Sequence, residues 1–449
     1  MKKNVLVTVG GLAALACLGW FGAHHAEHAM LEKSIDGFRQ TLGPDSALTY
    51  KKAWPGLLGR SVKFDGLVLR QGPETITADE AEISKPATSG DNTRRIGTLT
   101  FHNFQLADPS GSLHLDTLNL EGVTLPIKAD EPQGIAAQGL EIHHAKASKL
   151  HGFISSLQSD ISASAVLVED YGGNAPSRLD AQNVQLSTDV APQRRIKAAS
   201  VLIDGLDLAG LYASLSTGQP YTPRNGTRDI QVQDMAIEGT TPLLHVATLR
   251  SHATRTDDAE KEVSSLDGLE LWPDVPNLSI LPALGYDRFR GSLLLDDTHD
   301  FKANTLHVEE FRLNGKDMGR LDLSGDFGQT DTSTLLSAGA ADMPIRAMTI
   351  TYRDSGLVPR VVAASAKARG LKPEELTSQL QAQFAPHGPM PSPVLAEFAA
   401  YLPHAGKGPL TLTVKPAQPV PVMALIAGIS MLPNNPQVAA QLGLSFKGP

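Results

Sequence analysis

The chain is predicted to be mainly β: an N-terminal transmembrane helix, an elongated curled antiparallel sheet (an open groove or a sandwich-like pair of layers), and a C-terminal α/β helical cap. Three observations predict this. Most of residues 46–345 alternates apolar and polar residues, as in Ser112–Glu121, the pattern of a strand with one buried and one wet face. A short beat of apolar-x-x-apolar-x-apolar recurs nine times, at residues 64–69, 101–106, 120–125, 137–142, 181–186, 203–208, 232–237, 266–271 and 308–313. Beyond residue 345 the texture changes to helical spacing with proline and glycine punctuation.

The beat carries the main argument. A strand has a side-chain period of two, so a three-residue step throws the first apolar residue onto the wrong face. A β-bulge resets the phase and coils the strand. In seven copies the second spacer is Gly or Asn, the types that enter the left-handed region at least cost. The expectation is kinked, curling strands, with one or two copies forming true hairpins instead.

At the N-terminus Lys2 and Lys3 precede an uncharged run from Asn4 to Ala23. About 20 such residues span a bilayer as a helix, and the lysines hold the N-terminus in the cytoplasm. The reading is an uncleaved signal anchor over residues 1–29 with the bulk of the chain in the periplasm, as a single-pass protein of a bacterial inner membrane. Cys17, the sole cysteine, sits inside the run, so no intramolecular disulfide forms; its lipidation is left open. His24 and His28 share a helix face, but the segment reads as a juxtamembrane turn rather than a metal site. Residues 30–45 read as a short amphipathic helix.

The curled sheet is assigned to residues 46–345 and the cap to 346–449. Within the sheet Arg288–Leu295, Lys302–Val308 and Gly319–Phe327 read as a meander with turns at Asp296–His299 and Asn314–Asp317. Pro86–Thr93 reads as a loop, and Pro273–Pro282 as a connection between two halves of the sheet. In the cap, helices are expected over Leu357–Val362, from Pro373, and over Val394–Leu402, with strands at Leu410–Val414 and Leu444–Phe446. Val420–Leu432 is apolar nearly all round yet too short to cross a bilayer, so it is expected to be buried in the cap, with lipid or partner contact as the alternative.

The net charge of −9 argues against a nucleic-acid surface. No nucleophile elbow, phosphate-binding glycine loop or zinc spacing is present, so no enzyme, metal or cofactor is expected. The densest carboxylate–histidine run, Asp296-Asp-Thr-His-Asp300, has the composition of a charged turn. Asp257, Asp258, Glu260 and Glu262 read as a solvated loop. His143 and His144, being adjacent on a strand, point to opposite faces.

Residues 48–69 and Thr349–Leu357, together with the anchor and the recurring beat, resemble the AsmA-like envelope proteins and the related YdgA-like group. The resemblance covers most of residues 1–415. It implies a β-groove that shelters lipid acyl chains, and no catalytic residues. The expected function is therefore lipid or apolar-ligand handling in the envelope. Phospholipid or another acyl-chain ligand would lie along Leu67, Leu69, Leu206, Leu208, Leu269, Leu271, Phe311 and Leu313, residues that equally suit a closed core. The alternative is an assembly scaffold that meets other envelope proteins through Phe398, Met423 and Ile426 of the cap. A hydrolase is the third reading.

Overall fold

Successive antiparallel hairpins build the protein in a computed structural model. It describes residues 35–36, 46–56, 61–84, 86–89, 93–126, 139–173, 175–188, 190–217, 220–328, 343–432, 435 and 437–448. The expected anchor and the residues His24–His28 lie outside these. Among the described residues no helix is long and apolar enough to cross a membrane. Of the expected juxtamembrane helix, residues 35–36 are described as helical, and Ile35 is buried in the first core.

The chain divides into two compact units, the switch falling at residues 225–241. The first unit carries β1 (Ser46–Thr49), β2 (Lys52–Pro55), β3 (Ser61–Gln71), β4 (Glu74–Ser84), β5 (Pro86–Ser89), β6 (Thr93–Asp108), β7 (Gly111–Pro126), β8 (Glu141–Ile154), β9 (Ser159–Tyr171), β10 (Ser177–Thr188) and β11 (Arg194–Leu206). Helix α1 (Leu208–Thr217) and β12 (Gly226–Glu238) follow. Both β1 and β2 pair with β3; β4 and β5 pair with β6; β6 to β12 then pair in chain order, all antiparallel. Pro86–Ser89, expected to be loop, is thus a strand. Proline is tolerated at its first position, where no ladder donor is needed.

The second unit carries β13 (Pro242–Arg255), β14 (Ala259–Leu271), β15 (Phe289–Asp300), β16 (Thr305–Gly315), β17 (Gly319–Gly328) and β18 (Pro344–Asp354), paired in chain order. Helices α2 (Leu357–Ala368), α3 (Pro373–Phe384) and α4 (Pro393–Tyr401) follow. The unit ends with β19 (Leu410–Val414), β20 (Val420–Pro421), α5 (Val422–Met431), α6 (Gln437–Gln441) and β21 (Leu444–Lys447). The strands expected at 410–414 and 444–446 and the three expected helices are all present. Prolines sit in the first turns of α3 and α4, and Ser392 caps α4 through Leu395 N–H, where a free N–H needs a partner. β19 and β20 pair with β18, and β21 with β19. Residues 273–282 do not part the sheet: β14 and β15 pair from Ala259↔Asp300 to Leu271↔Phe289.

Each of the eight copies of the beat with a Gly, Asn or Asp second spacer puts that spacer at positive φ: Gly66, Asn103, Gly122, Gly139, Asn183, Gly205, Asp234 and Gly268. No described copy is a hairpin turn. The phase reset takes two forms. In β14 and β16 it is a true bulge: the register shifts between Leu266 and Leu269, and Glu309 and Glu310 together oppose Ser324. In the first unit the register shifts at Gly205, between Ser177↔Leu206 and Arg178↔Asp204, but is unchanged across the resets at Gly66, Asn103, Gly122, Asn183 and Asp234. Asp65↔Glu80 is followed by Leu67↔Ala78, and His102↔Thr117 by Phe104↔Leu115. One residue on each strand leaves the ladder at the same level, so no net residue is added. Expected bulges are here aligned creases, because the neighbouring strand carries its own three-residue step. Along one crease Gly66, Asn103, Lys149, Asn183 and Asp234 take positive φ on every second strand. Their partners across the ladder fix them: Asn103 donates to Asp79 at 2.7 Å, Lys149 pairs with Asp116 at 2.5 Å, and Asn183 donates to Ser164 at 2.9 Å.

The creases keep apolar residues on one face. In the first unit Val62, Phe64, Leu67 and Leu69 meet Ile76, Ala78, Ala81 and Ile83 in a filled core that continues through Phe101, Phe104 and Leu120. In the second unit Leu306, Val308, Phe327, Ile345 and Val414 pack against Leu425, Leu432, Val438 and Leu442.

Candidate functional site

Two inner sheet faces, one in each unit, are apolar yet only half-buried. In the first unit the filled core gives way at β8. Across β9–β12 the ladder sets Val166 against Ala181 and Val168 against Leu179, then Ala181 against Val201 and Leu179 against Ile203. It continues with Val201↔Val232, Ile203↔Ile230 and Ile196↔Ile237. The alanines are buried, but the larger side chains are half-exposed, and Ile196 is 38% exposed. The opposite face carries Asp180, Gln182, Gln185, Lys197 and Gln233. An oily strip left partly in contact with water is unfavourable by about 25 cal/mol per Å², so it is a surface that gains from an occupant.

In the second unit the inner face of β13–β16 holds Leu244, Val246 and Leu249, then Leu266, Leu269 and Leu271, then Leu293 and Leu295, then Phe311 and Leu313. Register proves the shared face: Leu249↔Leu266, Leu266↔Leu293, Leu293↔Leu313 and Leu295↔Phe311. Most of these are half-buried; Val246 and Leu269 are buried.

The predicted lining residues separate accordingly. Leu67 and Leu69 are 0% and 1% exposed in the filled core of the first unit. Leu206 ends β11 and Leu208 opens α1, so the strand expected there stops at Leu206. The reason is local: Asp207 accepts from Gly210 N–H at 2.8 Å and pairs with Arg224 at 2.6 Å, fixing a helix start. Leu269, Leu271, Phe311 and Leu313 come together on the face just described. The cap residues Phe398, Met423 and Ile426 are 38%, 52% and 51% exposed. Helix α5, expected to be buried in the cap with lipid or partner contact as the alternative, buries only Leu425 and Gly428, with Leu432 following its last residue. Its other side leaves Ile429 and Met431 exposed beside Met423 and Ile426.

Sequence reasoning missed a polar end to the second unit's inner face. Asp296–His299 is not a turn but the last part of β15, and the turn follows it at residues 301–304. Glu260 and Glu262 are not loop residues but lie on β14. The ladder sets Ser251 opposite Ser264, Glu262 opposite Asp297, and Glu260 opposite both Arg255 and His299. Ser251 and Ser264 donate to Glu262 at 2.7 and 2.8 Å. Arg255 binds Glu260 at 2.7 Å and lies 4.2 Å over the Phe301 ring. Burial, then the facing carboxylates led by Glu262, push Asp297 up to about 7. The signal was available: Leu266, Ser264, Glu262 and Glu260 follow one another at a strict period of two. Elsewhere His143 and His144 open β8 and bind Asp170 at 2.6 Å and Glu169 at 3.8 Å. Among the described residues no group of three or more His, Cys, Asp or Glu is placed to hold a metal ion.

A family described as "Uncharacterized protein" matches residues 312–448, the stretch from late β16 through β21. No curated protein matches the chain.

Proposed function

We propose that this is a non-enzymatic protein, anchored in a bacterial inner membrane by residues 1–29 with its bulk in the periplasm, that handles lipid or other apolar ligands in the envelope. The observation that carries the reading is the half-exposed apolar strip on β9–β12, matched by a similar strip on β13–β16. An acyl chain laid on such a strip gains about 0.8 kcal/mol per buried CH₂. The resemblance of residues 48–69 and 349–357 to AsmA-like proteins, and the uncharged run Asn4–Ala23 behind Lys2 and Lys3, support the same placement. Extraction of the purified full chain followed by mass spectrometry tests it. Acyl lipids are expected to co-purify, and to fall severalfold in the double variant Val201→Asp, Val232→Asp. A lipid-free wild-type protein would overturn the reading.

A second reading, an assembly scaffold, is favoured by one observation: the exposed side of α5. Photocrosslinkers at Met423 and Ile426 would then capture an envelope protein rather than lipid.

A further inference from the structure

The second unit's inner face changes character along its length, and this points to the kind of head group an amphiphile bound there would carry. Leu249, Leu266, Leu293 and Leu295 make the apolar stretch. The next rungs toward the hairpin tips are Ser251 and Ser264, then Glu262 and Asp297, then Glu260 and His299. Three carboxyl groups thus stand at one end of an oily strip, with Arg255 tied to Glu260.

Within this cluster His299 is 8% exposed, and neither of its ring nitrogens has a hydrogen-bond partner. The edge of the Phe301 ring lies 4.9 Å from it. A buried imidazole without partners bears an uncompensated desolvation cost. It sits directly opposite Glu260 and on the same face as Asp297, two residues away. A purely structural role leaves that cost uncompensated. A ligand with hydrogen-bonding atoms at this level removes it.

The charge balance selects the sign. Glu262 already accepts two hydroxyl hydrogen bonds and faces a carboxyl that retains a proton near neutrality. A head group whose only charge is negative would be repelled here. A primary ammonium has three donors and one positive charge, enough to bridge Glu262 and Asp297, taking the place of the retained proton, and to reach His299.

We propose that the inner face of β13–β15 binds an amine-headed phospholipid, with an acyl chain over Leu249, Leu266 and Leu293 and the ammonium between Glu262 and Asp297. This rests on the apolar-ligand reading above and names its ligand class.

The test uses the full chain with phosphatidylethanolamine carrying a diazirine in one acyl chain. Its N-acetylated form and the matching phosphatidylglycerol serve as controls, and adducts are mapped by peptide mass spectrometry. Labelling of β13–β15 by the amine probe should exceed that by either control by about tenfold, the worth of one charge-assisted hydrogen bond. In the double variant Glu262→Gln, Asp297→Asn the preference should vanish while labelling by phosphatidylglycerol persists. His299→Phe, which restores an apolar surface, should reduce the preference without unfolding the strand. Equal labelling of the wild-type strands by all three probes overturns the head-group site and leaves the apolar strip intact. Labelling of the inner strands by none of them overturns both. The comparison of probes on the wild-type chain needs no variant to fold.

Discussion

Asn103, Asn183 and Asp234 stand at φ of 51°, 52° and 52° in mid-strand, a conformation that costs most L-residues about 1–2 kcal/mol. Gly122, at 62°, does the same where a Cβ would come within 2.9 Å of the His143 Cβ. Gly122→Val should therefore lower the unfolding free energy by about 2 kcal/mol. Asn183→Gly should change it by less than about 0.5 kcal/mol. Urea melts of the two variants check this pair. Glu74 makes a different residue-scale prediction. It is 1% exposed, its carboxylate oxygens have no hydrogen-bond partner, and burial followed by Asp108 raises it to about 7. The folded state thus holds a proton that the unfolded state releases near 4.5. Stability from this group is full below pH 4.5 and is lost as pH rises to about 7. Glu74→Gln should flatten that fall and raise stability at pH 8 by about 2 kcal/mol after allowance for solvent screening. Thermal melts of both proteins at pH 4.5 and pH 8 check it; parallel curves would contradict it.

At the scale of the element, α5 shows what an apolar run leaves undecided. Its sequence, Val-Met-Ala-Leu-Ile-Ala-Gly-Ile-Ser-Met, has no polar face to mark which side is out. Packing against Val438 and Leu442 selects Leu425 and Gly428 as the inner side; a Cβ on Gly428 would stand 2.3 Å from Leu442 Cδ1. Leu425→Ala should cost about 2–4 kcal/mol, whereas Ile426→Lys, on the outer side, should cost less than about 0.5 kcal/mol. Chemical denaturation of both variants distinguishes the two sides. The other cap helices were legible because they carry their own signals: Pro373 with Glu374 and Glu375 in the first turn of α3, and the apolar stripe of Val394, Leu395, Phe398, Tyr401 and Leu402 in α4. Strand β15 was read too short for the opposite reason. Asp296–Asp300 has the composition of a turn, and strand pairing on both sides overrode it.

At the scale of the molecule, the sequence by itself determined the class of fold and the places where the strands that carry the beat reset their phase. Alternation at a period of two and a Gly, Asn or Asp at the step are local properties, and local sterics alone make them act. It also determined the four second-unit residues Leu269, Leu271, Phe311 and Leu313 as companions on one face. Three matters were decided by tertiary structure. Whether a phase reset becomes a bulge or an aligned crease depends on the partner strand, which register alone selects. Whether an apolar face is filled, as around Leu67 and Leu69, or half-open, as along β9–β12, depends on what packs across it. That Glu260, Glu262, Asp297 and His299 form one cluster follows from the pairing of β14 with β15, since residues about 35 apart in the chain carry no mutual signal until hydrogen bonds set them side by side.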